Sequence, residues 1–166
     1  MASIRVEASH FSADTVDFIR LLHHHGVRYL VVGGEAVIFH GHARLTGDID
    51  LLFGSDVDNA ARVFAVLEEF WSGDIPAGVQ KDELSREGLI LQFGYPPNRI
   101  DLINSIEGVS FEDAWRSRVE ATLVTSDGEY PLPYIGIEEL IANKRAAGRP
   151  KDLDDAAYLE SAKRNP

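Results

Sequence analysis

"VVGGEAVIFHGHARLTGDIDLLF", residues 31–53, restricts the fold more than any other stretch of this chain. An apolar strand runs into a glycine pair and a short helix, and a second apolar strand then carries Asp48 and Asp50. Strands this apolar normally form the middle of a sheet, where a carboxylate needs a partner. Asp48 and Asp50 stand at i and i+2, so both point to one face with Cα atoms about 6.5–7 Å apart. Two carboxylates that close repel unless a proton or a cation sits between them. Either Asp48 caps the strand after Gly47 and Asp50 meets an arginine, or the pair holds a cation.

The remaining elements follow from local signals. Ser12 is an N-cap for a first helix with Val16, Ile19 and Leu22 at helical spacing and Gly26 as its stop. "VRYLVVGG" is a strand, "EAVIFHGHAR" a helix of two or three turns, and "DIDLLF" a second strand. "DVDNAARVFAVLEEFW" is a helix capped by Asp56 or Asp58. "GLILQFG" and "RIDLIN", joined by "YPPN", are neighbouring antiparallel strands. A helix at "FEDAWRSR", the strand pair "VEATLVT" and "EYPLP", and helices at about 136–147 and 152–162 complete the chain. The expected fold is therefore α/β of the α+β kind: a small mixed sheet flanked by helices, with C-terminal helices. One domain spans 1–166, with a core at about 28–105 and the strand pair and helices at about 106–162.

Three features bear on the aspartates. Gly33 and Gly34 lie between a strand and a helix, which is either a tight turn or a place where a polyanion meets free backbone N–H groups. "RIDLI" puts Asp101 in another apolar strand; if that strand neighbours the first pair, three carboxylates converge. Oxygen-only clusters of this kind select Mg²⁺ or Mn²⁺, and paired ions suit in-line attack on a phosphate. Ile137, Leu140, Ile141 and Lys144 fall at i, i+3, i+4 and i+7, so Lys144 lies on an inward stripe, either snorkelling to water or meeting a phosphate. Asp152 and Asp155 in "RPKDLDD" read as a helix cap with an acidic first turn. His23, His24 and His25 close a helix, and His40 and His42 have packing or surface roles on the short helix.

Charge narrows the partners. Lys and Arg number 16 against 27 Asp and Glu, a formal charge of −11. Such a field repels nucleic acid, so an RNA partner would need the local basic stretch "NKRAAGRPK", residues 143–151. There is no cysteine, hence no disulfide and no thiolate metal site. The amino terminus lacks the apolar core of a secretory signal and no apolar run approaches a membrane span, so a cytoplasmic location with no membrane partner is expected.

Gly33-Gly34, Asp48-Ile49-Asp50 and Asp101 together resemble the signature of the DNA polymerase β-like nucleotidyltransferase superfamily. Within it, "GGEAVIFHGHARLTGDIDL" with "IANKRAAGRPKDLDDAAYL" resembles small bacterial nucleotidyltransferases grouped with the AbiEii-type toxins of toxin–antitoxin systems. The resemblance covers residues 28–160. It implies that Asp48, Asp50 and Asp101 hold the metal, that Asp101 also acts as base toward an acceptor hydroxyl, and that Gly33 and Gly34 cradle a nucleoside triphosphate. It further implies that Lys144 contacts phosphates and that Arg44 and Thr46 shape the site. Asp152 or Asp155 falls in the acidic motif that follows the lysine. Many superfamily members carry Gly-Ser where this chain has Gly33-Gly34, and the toxin-like branch commonly has Gly-Gly.

The expected activity is thus Mg²⁺-dependent transfer of a nucleoside monophosphate to a hydroxyl of RNA (such as tRNA), a protein or a small molecule, with a cognate toxin or antitoxin as partner. The alternative is a nucleotide-binding or antitoxin module without turnover. A phosphohydrolase would need a His or Glu placed to activate water, and none stands out.

Overall fold

The computed structural model describes residues 3–165. Seven strands form one sheet in the order β1-β6-β7-β2-β3-β5-β4, where β1 is Ile4–Glu7, β2 Tyr29–Val32, β3 Asp48–Phe53, β4 Ile90–Phe93, β5 Arg99–Ile103, β6 Val119–Thr125 and β7 Gly128–Tyr134. Pairings alternate across it: β1–β6, β7–β2 and β3–β5 are parallel, while β6–β7, β2–β3 and β5–β4 are antiparallel. The helices are α1 Ala13–His24, α2 Gly33–Phe39, α3 Val57–Phe70, α4 Phe111–Arg116, α5 Ile137–Ala147 and α6 Pro150–Arg164. This is the mixed sheet with flanking and C-terminal helices that the patterning predicts.

Strand β2 and the second half of β3 are buried because their residues are apolar on both faces: Leu30, Val31, Leu51, Leu52 and Phe53 are fully inaccessible. Phe18, Ile19 and Leu22 of α1 and Val63, Val66 and Leu67 of α3 complete the same core. Capping sets where these helices begin. Ser12 Oγ accepts from the Thr15 N–H at 3.2 Å and an Asp56 carboxylate oxygen accepts from the Asn59 N–H at 3.0 Å, each satisfying an otherwise orphaned donor.

Three local expectations change. The helix read over "EAVIFHGHAR" starts earlier, at Gly33, and ends at Phe39; Gly41 turns the chain at a φ of 113°, and residues 40–47 form a loop. His40 and His42 therefore lie beyond the helix. His40 Nε2 pairs with the Ile135 carbonyl at 2.8 Å, and His42 stacks on Tyr158 with ring centres 3.9 Å apart. The final helix begins at Pro150, where proline suits the first helical position, so Asp152 falls at its third residue. The strand Ile4–Glu7, whose Ile-Arg-Val-Glu alternation is only four residues long, is held by its parallel pairing with β6. Among the described residues, no helix is long and apolar enough to cross a membrane.

Candidate active site

Strand register builds the site. β3 and β5 run parallel with Asp48 beside Arg99 and Asp50 beside Asp101. Because side chains alternate along a strand, these four stand at the corners of a rectangle on one sheet face, about 4.8 Å by 7 Å. Three corners are acidic and the fourth is a guanidinium. Carboxylate oxygens of Asp48, Asp50 and Asp101 lie within 4.8 Å of one another, as one cation requires.

The corners are not equivalent. Arg99 donates from its terminal nitrogen to Asp48 Oδ2 at 2.6 Å and, through a two-pronged contact, to Asp101 at 2.9 and 3.1 Å. Thr46 Oγ1 lies 3.2 Å from Asp48 Oδ1, to which it donates. Asp50 has no arginine. Burial, then the charges of Asp48 and Asp101, push its carboxyl up to about 7, with Lys144 opposing the shift. Asp101 is also pushed upward, by burial first, while its hydrogen bond from Arg99 pulls it back.

The glycine pair has a specific steric cause. Antiparallel pairing sets Val32 of β2 opposite Asp50, which brings Gly33, at a φ of 64°, against the Asp50 carboxylate. That carboxylate occupies the space a Gly33 Cβ would need, and a Gly34 Cβ would approach Thr46 Oγ1 to 2.7 Å and an Arg44 nitrogen to 3.1 Å. Much of the room left by the absent side chains is thus already used by the chain's own polar groups.

Lys144 is buried, 6 % exposed, as its place on the α5 stripe predicts. Its Nζ lies 3.2 Å from Asp155 and 3.5 Å from Asp152, both 2 % exposed on α6. Asp155 also accepts from Arg44 at 3.2 Å, and Asp152 from Arg149 Nε at 2.7 Å. Asp152 does cap α6, accepting from the Arg149 backbone N–H at 3.3 Å, which is the expected role in part. Asp155 does not: it lies inside, joining the α5–α6 pair to the loop that precedes β3. Burial raises and the arginine and lysine lower the Asp152 carboxyl, leaving it below the usual carboxylate range.

These groups face a cleft of about 710 Å³, within the range of small-molecule sites. Gly33, Gly34, Arg44, Thr46, Asp48, Asp50, Asp101 and Lys144 all line it. Arg99, Arg149 and Lys151 line it too and are not evident from the aspartate pattern alone. Arg99 had a usable signal, since it sits two residues before Asp101 and so on the same strand face. An oxygen-only donor set, one carboxylate of which is left without a cation, fits a hard divalent ion.

No curated protein matches the chain. A family model described as "Nucleotidyltransferase of unknown function (DUF6036)" matches residues 13–161, from the start of α1 to the last turn of α6, and the chain belongs to that nucleotidyltransferase family.

Proposed function

We propose that this protein transfers a nucleoside monophosphate from a nucleoside triphosphate to an acceptor hydroxyl, using Mg²⁺ or Mn²⁺ held by Asp48, Asp50 and Asp101. The observation that carries the reading is the convergence of those three carboxylates in one cleft with the buried Lys144. A bound divalent ion would supply electrostatic stabilisation of the charge that develops on the phosphates. Gly33 and Gly34 let the triphosphate approach the backbone, and Lys144 and Arg44 offer it positive charge. Asp101 takes the acceptor proton, the acceptor oxygen bonds to the α-phosphorus, and the bond from that phosphorus to the β-phosphate bridge breaks to release pyrophosphate.

The surroundings of the cleft favour a protein or small-molecule acceptor over a long RNA. Of the four cations in residues 143–151, Lys144 is enclosed by Asp152 and Asp155, Arg149 bonds Asp152, and Arg145 pairs with Glu160 at 3.2 Å, which leaves the exposed Lys151 on the cleft. Little of that basic stretch is left to neutralise a phosphate backbone. A role as an AbiEii-like member of a toxin–antitoxin pair is supported by the resemblance of its two motifs, which Asp155 joins in space by bonding Lys144 and Arg44.

The test is label transfer from α-³²P nucleoside triphosphates with Mg²⁺ to tRNA, to protein and to small hydroxyl acceptors, comparing wild type with Asp48→Ala. Transfer that vanishes in the variant is expected; no transfer by wild type to any acceptor defeats the reading. One observation favours a second reading, a nucleotide-binding or antitoxin module: Arg99 satisfies Asp48 and Asp101 without a metal. Nucleotide binding that persists without any transfer, alone or with the product of the neighbouring gene, would identify that module.

A further inference from the structure

The cations around the cleft are unevenly committed. Lys144, Arg44 and Arg149 are each bonded to Asp152 or Asp155 of α6. Among the described residues, Arg99 is the cation hydrogen-bonded to the acidic triad, and it contacts two of the three carboxylates at once. Its position follows from register: Arg99 is the neighbour of Asp48 across the strand pair and of Asp101 along its own strand. A planar guanidinium with several donors can bridge carboxylates in this way, and charge-assisted contacts at these distances are the strong kind. The same Asp48 and Asp101 oxygens are those an ion would need. A cation that takes them while Arg99 holds them sits against the guanidinium's positive charge, so ion loading is opposed until Arg99 swings away.

The geometry points to Arg99 as an internal stand-in for the metal, a positioning residue that competes with the divalent ion for Asp48 and Asp101 and keeps the free protein's affinity for it low. This inference rests on the metal-binding reading of the triad. It adds that the apo protein is not simply an open site: its fourth corner offsets part of the triad's negative charge. Once displaced, the guanidinium remains on the cleft wall, where an incoming polyphosphate offers it new anionic partners.

Mn²⁺ titration of nucleotide-free protein, followed by electron paramagnetic resonance of the unbound ion, tests the competition without relying on activity. Arg99→Gln keeps a polar side chain and removes the charge; it should bind Mn²⁺ at least about tenfold more tightly than wild type. Arg99→Lys, which keeps one charge but loses the two-pronged contact, should fall between them and serves if the glutamine variant folds poorly by circular dichroism. Without metal, Arg99→Gln should melt below wild type, and saturating Mn²⁺ should raise its melting temperature by more. Adding Asp50→Asn to Arg99→Gln should remove the gain in affinity. Equal Mn²⁺ affinity in wild type and both Arg99 variants, still sensitive to Asp50→Asn, overturns the role of Arg99 and leaves the metal site standing. No Mn²⁺ uptake by any variant, or uptake indifferent to Asp50→Asn, overturns the metal site itself and the inference with it.

Discussion

The Asp50 carboxylate lies where a side chain on Gly33 would begin. Gly33 also has a φ of 64°, in the left-handed region that L side chains rarely adopt. Gly33→Ala should therefore cost both backbone strain and overpacking, about 3 kcal/mol in all. Gly26→Ala separates the two, because Gly26 has a φ of 67° but nothing within 4 Å of its would-be Cβ. Urea denaturation should show Gly26→Ala losing about 1 kcal/mol and Gly33→Ala clearly more. Equal losses would mean that Asp50 makes no steric demand on Gly33.

Stability of the metal-free protein should depend on the proton carried by Asp50. Its carboxyl is raised from 3.8 to about 7 in the folded state, so between those values the fold binds a proton that the unfolded chain has lost. The sign follows directly: the stabilisation is complete below pH 4 and is lost as pH rises through 7. Its upper bound is on the order of 4 kcal/mol, shared with Asp101 because the two carboxylates interact. Melting temperatures at pH 5.5 and 8 should fall further apart for wild type than for Asp50→Asn, and Mg²⁺ should shrink the wild-type difference.

Lys144 is expected to matter to folding independently of phosphate. Lys144→Met leaves Asp152 and Asp155 buried with one cation fewer and should destabilise by about 3 kcal/mol. Combining it with Asp155→Asn should recover part of that loss, and a double-mutant cycle should give a coupling of about 1–3 kcal/mol. Strictly additive losses would show that the lysine's burial is a packing matter alone.

Thr46 holds the Asp48 carboxylate through its hydroxyl, and a site built on charge placement is sensitive to such an orienting bond. Thr46→Val keeps the shape and removes the donor. Label transfer should fall about tenfold with little change in melting temperature. An unchanged rate would assign Thr46 to loop structure.

Asp48, Asp50, Asp101 and Lys144 were legible for the same physical reason: each is a charge in a segment whose periodicity points it inward. Their convergence was conditional on β3 and β5 being neighbours, which alternation within a strand does not determine and the parallel register does. Arg99 is easily passed over because an arginine at the start of a strand is ordinary on a surface; its spacing from Asp101 gives its face, and its pairing with Asp48 shows what it meets there. Asp155 looks like part of a cap because helix starts are acidic, whereas Pro150 begins α6 early enough to turn Asp155 toward Lys144. The end of α2 is hard to read from the sequence because "EAVIFH" carries an apolar pattern right up to Gly41, where the chain turns.

The alternation that puts Arg99 and Asp101 on the cleft side of β5 puts Ile100 and Leu102 on the other, where they are 3 % and 1 % exposed. A slip of β5 by one residue against β3 would exchange these sets, driving an arginine and an aspartate into hydrocarbon and two aliphatic side chains against Asp48 and Asp50. The polar corners thereby proofread the strand pairing: a chain that misaligns during folding meets a penalty at each position from Arg99 to Leu102, so the groups that equip the cleft also help the polypeptide find the one alignment in which a cleft exists.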